Sequence, residues 1–229
     1  MVEGVFVNGR GPYTFLVNTG ASFNHLDPDV AKSIGLTPSF NGELMSSAGI
    51  TVVPGTSGVE ITLDSIRLEN QSFLFAGIGA VHQLSPDVQG VLGESFLSQF
   101  DYLFDLRNQR IDFGKREPTP KEVRIPFQTV QARPVITTSL GPLVLDSGIN
   151  WITLFGVDPG VLTHQMTTMT GSLNVGLVSR KLSVGWHAFW HGNVVALPRS
   201  AETGAAGLLP ISVFKVVYVC NSEGYISLE

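Results

Sequence analysis

The chain has 229 residues, of which 43% are hydrophobic and 14% charged, with 25 glycines and 13 prolines. This composition is typical of a turn-rich, strand-rich globular protein and excludes a disordered chain; the length suits one large all-β domain or two small ones. The net charge is -5 and the basic residues are scattered, so we expect no nucleic-acid partner.

Cysteine content and hydropathy narrow the class of protein further. Cys220 is the single cysteine, so no disulfide forms within the chain and the apolar core has to hold the fold. No apolar run reaches the roughly 18 residues of a transmembrane helix, so we expect no membrane span in this chain. The sequence opens almost directly on a strand at Val2. We expect an export signal upstream of this strand, which would direct the protein to the periplasm or outside the cell.

Most predicted elements are strands. Short apolar runs, broken by Gly, Pro, Asn or Asp at intervals of about 8 to 12 residues, predict a sandwich or barrel. A helix is predicted over 27–34, where Asp27 caps it, Pro28 takes the first helical position and Gly35 ends it. A second short helix is predicted over 93–100. The stretch 100–113 predicts a β-hairpin with its turn at 107–109.

Two halves of the chain repeat the same motif. The first half has Gly-Pro and then FLVNTGAS at 15–22, and the second has Gly-Pro and then LVLDSGIN at 143–150. Each motif is an apolar strand, an acidic or amide residue, a hydroxyl residue and a glycine. Repetition in the same order is the signature of a duplicated structural unit.

A second element recurs later in each half. GVLG at 90–93 leads to a hairpin, and GLLP at 207–210 leads to the hairpin that ends the chain. A polar, proline-containing stretch separates the halves, as a linker would. We therefore predict an N-terminal lobe at 1–117, a linker at 118–127 and a C-terminal lobe at 128–229.

Together these motifs resemble the pepsin-like and retropepsin-like aspartic proteases. Asn18-Thr19-Gly20 is similar to the retropepsin form of the motif, and Asp146-Ser147-Gly148 is the second copy. The small lobes and the lack of disulfides are similar to bacterial members of the family. The resemblance implies an all-β, bilobal pepsin-like acid protease fold, in which two pseudo-twofold-related small β-barrel lobes enclose a peptide cleft.

The family's chemistry requires two carboxylates. One takes a proton from a water molecule while the other, protonated, hydrogen-bonds the scissile carbonyl, and the pair shares a proton because two close carboxylates do not both ionise. The resemblance assigns the two catalytic positions to Asn18 and Asp146 and implies no cofactor and no metal. Thr19 and Ser147 are expected to bond across to the opposite loop, and Gly20 and Gly148 to allow close backbone approach.

Asn18 departs from the family pattern, because an amide has no titratable carboxyl group. One interpretation is an aspartic endopeptidase of peptide or protein substrates, inactivated by an engineered Asp-to-Asn change. Another is a natural pseudoprotease that binds peptides without cutting them. A third, a subunit that completes its site by dimerising, is disfavoured by the second motif at Asp146, so a monomer is expected. Asn150 is a candidate polar support for Asp146.

A flap over the cleft is expected in the first lobe. The candidate tip is Ser46, Ser47, Ala48 and Gly49, whose small residues suit a mobile hairpin. An ordinary surface hairpin is the alternative, since the tyrosine that marks pepsin flaps is absent. The stretch 166–172 is a possible counterpart in the second lobe.

Other groups of residues give weaker evidence for a metal or nucleophile site. His187 and His191 lie four apart, but the expected strand would separate them by some 13 Å, too far for one ion. Ser147 lacks a nucleophile elbow, and Cys220 lies in an apolar strand where a thiol is inert. The Asp101, Asp105 and Asp112 hairpin lacks the glycine and glutamate of a calcium loop.

Overall fold

The computed structural model describes residues 1–83, 85–117, 123–161, 164–185, 187–198, 200–202 and 204–229. Helices are few and short: α1 at Pro28–Ser33, α2 at Gly79–His82, α3 at Glu94–Leu97, and a 3-10 turn at Ile211–Val213. Within these ranges, no helix has the length and hydrophobicity needed to cross a membrane.

Strands make up most of the molecule. In chain order they are β1 Val2–Val7, β2 Arg10–Val17, β3 Asn24–Leu26, β4 Phe40–Ser46, β5 Gly49–Leu63, β6 Ile66–Phe75, β7 Val88–Leu92, β8 Tyr102–Asp105, β9 Arg110–Phe113, β10 Arg124–Val130, β11 Arg133–Thr138, β12 Gly141–Asp146, β13 Thr153–Phe155, β14 His164–Thr168, β15 Gly171–Val184, β16 His187–Leu197, β17 Gly207–Pro210, β18 Val216–Cys220 and β19 Tyr225–Leu228.

The first lobe is a closed ring of strands. Its order is β1-β2-β7-β3-β6-β5, and pairing of β1 with β5 closes the ring. β4 extends from β5 as the outer strand of a long hairpin. Because the ring is closed, each of its strands has a pairing neighbour on both sides, and the ring has no free edge strand.

The second lobe repeats this ring strand for strand. Its order is β11-β12-β17-β13-β16-β15, closed by the pairing of β11 with β15, and β14 extends from β15. The parallel pairs also correspond, since β2–β7 and β3–β6 match β12–β17 and β13–β16. The sequence prediction of an all-β, bilobal barrel fold is confirmed.

The remaining strands join the two lobes. β9, β8, β18, β19 and β10 form a continuous series in the larger sheet, so the hairpin that follows each ring pairs with the other. β10 continues by pairing with β11. Of the predicted linker, residues 124–127 therefore lie in a strand and residues 118–122 lie outside the described residues. The lobe boundaries themselves stay a prediction.

Local signals explain the helices. The Asp27 carboxylate accepts a hydrogen bond from the N–H of Asp29 at 2.9 Å, Pro28 begins α1, and Gly35 follows with φ of +76°. α3 is shorter than the predicted 93–100, because beyond Leu97 the chain continues in tighter turns such as Phe100 N–H to Leu97 O at 3.0 Å. The predicted hairpin at 100–113 is present as β8 and β9.

One apolar core runs through both lobes. It includes Phe15 and Leu92 beside the first motif and Leu145 and Leu209 beside the second, all of them buried. Burial of a large apolar side chain stabilises the fold by about 1.5–3 kcal/mol. The strands that carry the two motifs are therefore anchored in this core.

Candidate active site

The two motifs begin where corresponding strands end. β2 runs parallel to β7 with Val17 beside Leu92, and β12 runs parallel to β17 with Asp146 beside Pro210. The Asn18 N–H donates to the Leu92 carbonyl at 2.9 Å, which fixes the start of the first loop. The same ring topology thus presents Asn18 and Asp146 at equivalent positions of the two lobes.

Four hydrogen bonds tie the two loops together. The Thr19 hydroxyl donates to the Leu145 carbonyl at 2.7 Å and accepts from the Ser147 N–H at 3.0 Å. The Ser147 hydroxyl donates to the Val17 carbonyl at 2.8 Å and accepts from the Thr19 N–H at 3.0 Å. The structure therefore brings together two motifs that lie 128 residues apart in the chain.

The side chains of Asn18 and Asp146 are held in matching ways. The Gly20 N–H donates to Asn18 Oδ1 at 2.8 Å, and the Gly148 N–H donates to Asp146 Oδ1 at 2.7 Å. A Cβ on Gly20 would overlap the Asp146 carboxylate, and one on Gly148 would lie 2.7 Å from Asn18 Cγ. Each side chain therefore lies against the opposite loop, and glycine is required in both loops.

Burial sets the protonation of Asp146. The residue is 6% exposed, and this desolvation raises the pKa of the carboxyl group to about 6. The Gly148 N–H lowers the pKa, Glu202 raises it and Arg133 lowers it, each by less than burial does. Asp146 is therefore poised to exchange a proton in mildly acidic conditions. Asn150, the predicted polar support, is exposed.

The flap candidates form the tip of the β4–β5 hairpin. We call residues 44–50 the flap. The Ser46 hydroxyl lies 2.9 Å from the Thr168 hydroxyl and 2.6 Å from that of Thr170. Thr170 also donates to the Gly49 carbonyl at 3.3 Å. Since these threonines belong to the β14–β15 hairpin, the tips of the two hairpins are in contact across the lobes.

A buried ion pair lies beside the flap and has no counterpart in the sequence predictions. Arg133 Nη1 donates to Glu202 Oε2 at 2.7 Å, with both side chains almost fully buried. The Ser47 hydroxyl donates to Glu202 Oε1 at 2.8 Å. Because Arg133, Glu202 and Ser47 lie on three distant segments, no local pattern could have identified them.

The residues considered for other kinds of catalytic or metal site have structural contacts. The Ser147 hydroxyl donates to a backbone carbonyl, and Cys220 is buried with its sulfur 3.6 Å from Asp101. Asp105 bonds Asn108, and Asp112 pairs with Arg110. His191 lies in β16, whereas residue 186 and the side chains of 187–189 lie outside the described residues. Among the described side chains, no group of three or more metal-ligating residues comes together.

Residues 4–96 match the aspartyl protease family model. The match supports an aspartic protease, and it covers the first ring with the loop that carries Asn18. The match ends before the second motif at Asp146. In the structure, the repeated ring and the cross-loop hydrogen bonds bring this second motif beside the first. A search of curated proteins found no match to the chain.

Proposed function

We propose that this chain is the scaffold of a bilobal, pepsin-like or retropepsin-like aspartic endopeptidase of peptides or proteins. Asn18 occupies the position of one of its two carboxylates and leaves the chain as written catalytically inactive. The observation that carries the proposal is the reciprocal bonding of Thr19 and Ser147, because it places Asn18 and Asp146 against each other's loops. The aspartyl protease match over the first lobe supports the same class of enzyme.

The amide at Asn18 preserves the fold of the site but removes its chemistry. Asn18 Oδ1 accepts from Gly20 as Asp146 Oδ1 accepts from Gly148, so an aspartate at 18 would keep the same hydrogen bond. The amide nitrogen, however, can neither accept a proton from water nor donate one to a carbonyl oxygen as a carboxylic acid does.

With aspartate at position 18, the geometry supports general acid–base hydrolysis without a cofactor. One carboxylate removes a proton from water, and the water oxygen bonds to the scissile carbonyl carbon. The other carboxyl group donates its proton to the carbonyl oxygen. Collapse of the tetrahedral species then breaks the C–N bond, and the leaving nitrogen takes a proton from the pair.

The decisive experiment compares the chain with its Asn18→Asp variant on a mixed peptide library between about pH 3 and pH 7, the interval set by a shared-proton pair. We expect hydrolysis to rise by at least about 10³-fold in Asn18→Asp, within the range of general acid–base catalysis. The matched control is Asn18→Asp with Asp146→Asn, which moves the single carboxylate to the first loop and should be silent. Silence of a well-folded Asn18→Asp variant would reject the protease function.

A pH profile sharpens the same test. Burial already raises the pKa of Asp146 to about 6, and a second carboxylate at position 18 would raise one pKa further. The pair therefore holds its shared proton in acid and loses it as pH rises. We expect activity to fall as pH rises through the raised pKa of the pair, which lies above the value of about 6 for Asp146 alone, and a rate that keeps rising towards pH 9 would contradict a shared-proton mechanism.

The second candidate is a pseudoprotease, favoured by Asn18 itself. Peptides would bind between the lobes without being cut. If a well-folded Asn18→Asp variant cleaves nothing, calorimetric titration of this chain with peptides from the same library tests for such binding. An aspartate codon at this position in the source gene would remove the candidate. We also infer a self-contained monomer, and sedimentation analysis of the chain tests this.

A further inference from the structure

Side chains of the flap form hydrogen bonds with the second lobe, and we call this set of contacts the latch. Ser46 reaches Thr168 and Thr170, and Ser47 reaches Glu202. All of these contacts cross from the first lobe to the second. Together they connect the flap to the lobe that carries Asp146, the intact half of the candidate dyad.

Glu202 is the strongest point of attachment. Its carboxylate is buried, its second oxygen is bound by Arg133, and its hydrogen bond with Ser47 is shielded from water. A hydrogen bond to a charged group in such surroundings is stronger than one between neutral groups. By contrast, the Ser46 hydroxyl pairs with neutral hydroxyls.

Arg133 fixes Glu202 rather than touching the flap. It also bonds Gln131 through Nη2 at 2.9 Å, and the Gln131 carbonyl accepts from the Ser22 hydroxyl at 2.6 Å. Ser22 follows the first motif in the chain. The latch is therefore continuous with the loop that carries Asn18.

We propose that Glu202, held by Arg133, is a positioning residue that keeps the flap closed through Ser47 until a peptide enters. The inference rests on the proposed function for its catalytic consequence. A peptide that passes between flap and dyad has to separate Ser47 from Glu202. The latch thus reduces the fraction of molecules that are open to substrate.

The first test measures the flap directly in the chain as it stands, with Asn18. Spin labels are attached at Ile50→Cys, which is exposed and lies next to the flap tip, and at Arg180→Cys on β15. Double electron–electron resonance measures the distance between the two labels. Ser47→Ala is expected to raise the ratio of long to short separations by about tenfold or more, the effect of losing a hydrogen bond to a charged group.

The matched control is Ser57→Ala. Ser57 lies on the same β5 strand, and its hydroxyl bonds Ser72 within the first lobe at 3.0 Å. Ser57→Ala should leave the separations unchanged, and Ser47→Thr should restore the closed separation. Equal distributions for Ser47→Ala and the unsubstituted chain would overturn the proposal.

Glu202→Gln tests whether the carboxylate is the anchor. The Ser47→Ala effect should shrink at least about threefold in the Glu202→Gln background, because bonded partners are not additive. An unchanged effect would remove Glu202 from the latch. If Glu202→Gln fails to fold, Ser46→Ala serves instead, and it should open the flap less than Ser47→Ala does.

The last arm measures catalysis in the Asn18→Asp background. Ser47→Ala should lower KM at least about threefold with kcat within about twofold, because more molecules are open to substrate. A higher KM would overturn the gating role. An inactive Asn18→Asp chain would reject the proposed function, while the spin-label distances would still decide whether the latch exists.

Discussion

The two lobes share one ring topology but bury different groups behind it. Where β7 ends, the first lobe buries Glu94, and at the corresponding position after β17 the second lobe buries Ile211. The Tyr102 hydroxyl donates to Glu94 Oε1 at 2.9 Å. The second lobe has an apolar side chain at this position, so the ring itself does not require a carboxyl group.

Burial makes this carboxyl group costly when it is charged. Desolvation raises the pKa of Glu94 to about 8, and the hydrogen bond from Tyr102 only partly offsets it. Glu94 is therefore protonated at neutral pH. A repeated fold can therefore keep its topology while one copy carries a buried acid and the other does not.

The largest predicted effect concerns Glu94→Gln. A folded pKa raised from 4.5 to about 8 means that the folded state binds the proton more tightly, so stability falls as pH rises through this window. Glutamine has no such loss. We expect the free energy of unfolding of Glu94→Gln, relative to the unsubstituted chain, to increase by about 4 kcal/mol between pH 4 and pH 8.5. Urea unfolding at several pH values measures it.

The control for this prediction is Glu43→Gln, an exposed glutamate on β4 of the same lobe. Because its side chain is exposed, Glu43→Gln removes a carboxyl group from this lobe without removing a buried one. A Glu94→Gln variant whose relative stability is the same at pH 4 and pH 8.5 would show that burial does not raise the pKa of Glu94. The two lobes would then not differ in the pH dependence of their stability at this position.

The next effect compares the two loops at the site. Asp146 is almost fully buried and Asn18 is only half-buried, although both accept a glycine N–H. Burial raises the pKa of Asp146 from 3.8 to about 6, so the folded state loses stability as pH rises through that window. Asp146→Asn should gain about 3 kcal/mol relative to the unsubstituted chain between pH 3.5 and pH 7.

The exchanged variant, Asn18→Asp with Asp146→Asn, sharpens this comparison. It moves the single carboxylate to the more exposed loop, where desolvation is weaker. Its stability should therefore change less with pH than that of the unsubstituted chain. A larger change would mean that the first loop is the drier of the two.

Local patterns in the sequence were sufficient to predict the repeated parts of the fold. Asp27 and Pro28 mark α1, and the motifs at Asn18 and Asp146 each follow an apolar strand. These signals are contained in a few neighbouring residues. Because both halves contain them in the same order, the sequence predicted the bilobal all-β architecture, which the structure confirms, and the pairing of the two loops.

Contacts between distant segments could not be predicted in this way. Arg133 and Glu202 are 69 residues apart, and Ser47 and Glu202 are 155 apart. Nothing near any of them marks it as a partner of the others. Glu94 had a weak signal, since it is a lone acid in the apolar run GVLGESFL, but burial of that residue depends on the whole ring.

The smallest predicted effect distinguishes the two hydroxyls that join the loops. Thr19 is fully buried and Ser147 is half-buried, although each donates to one carbonyl and accepts one N–H of the opposite loop. Thr19→Val should lower the free energy of unfolding by about 2 kcal/mol, because buried partners are left unsatisfied. Ser147→Ala should cost about 1 kcal/mol, since water can reach part of its site.

Urea unfolding of both variants and of the double variant measures these losses and their coupling. Equal losses would show that the loops are symmetric in energy as well as in topology, and strictly additive losses would show that the four hydrogen bonds do not act as one unit.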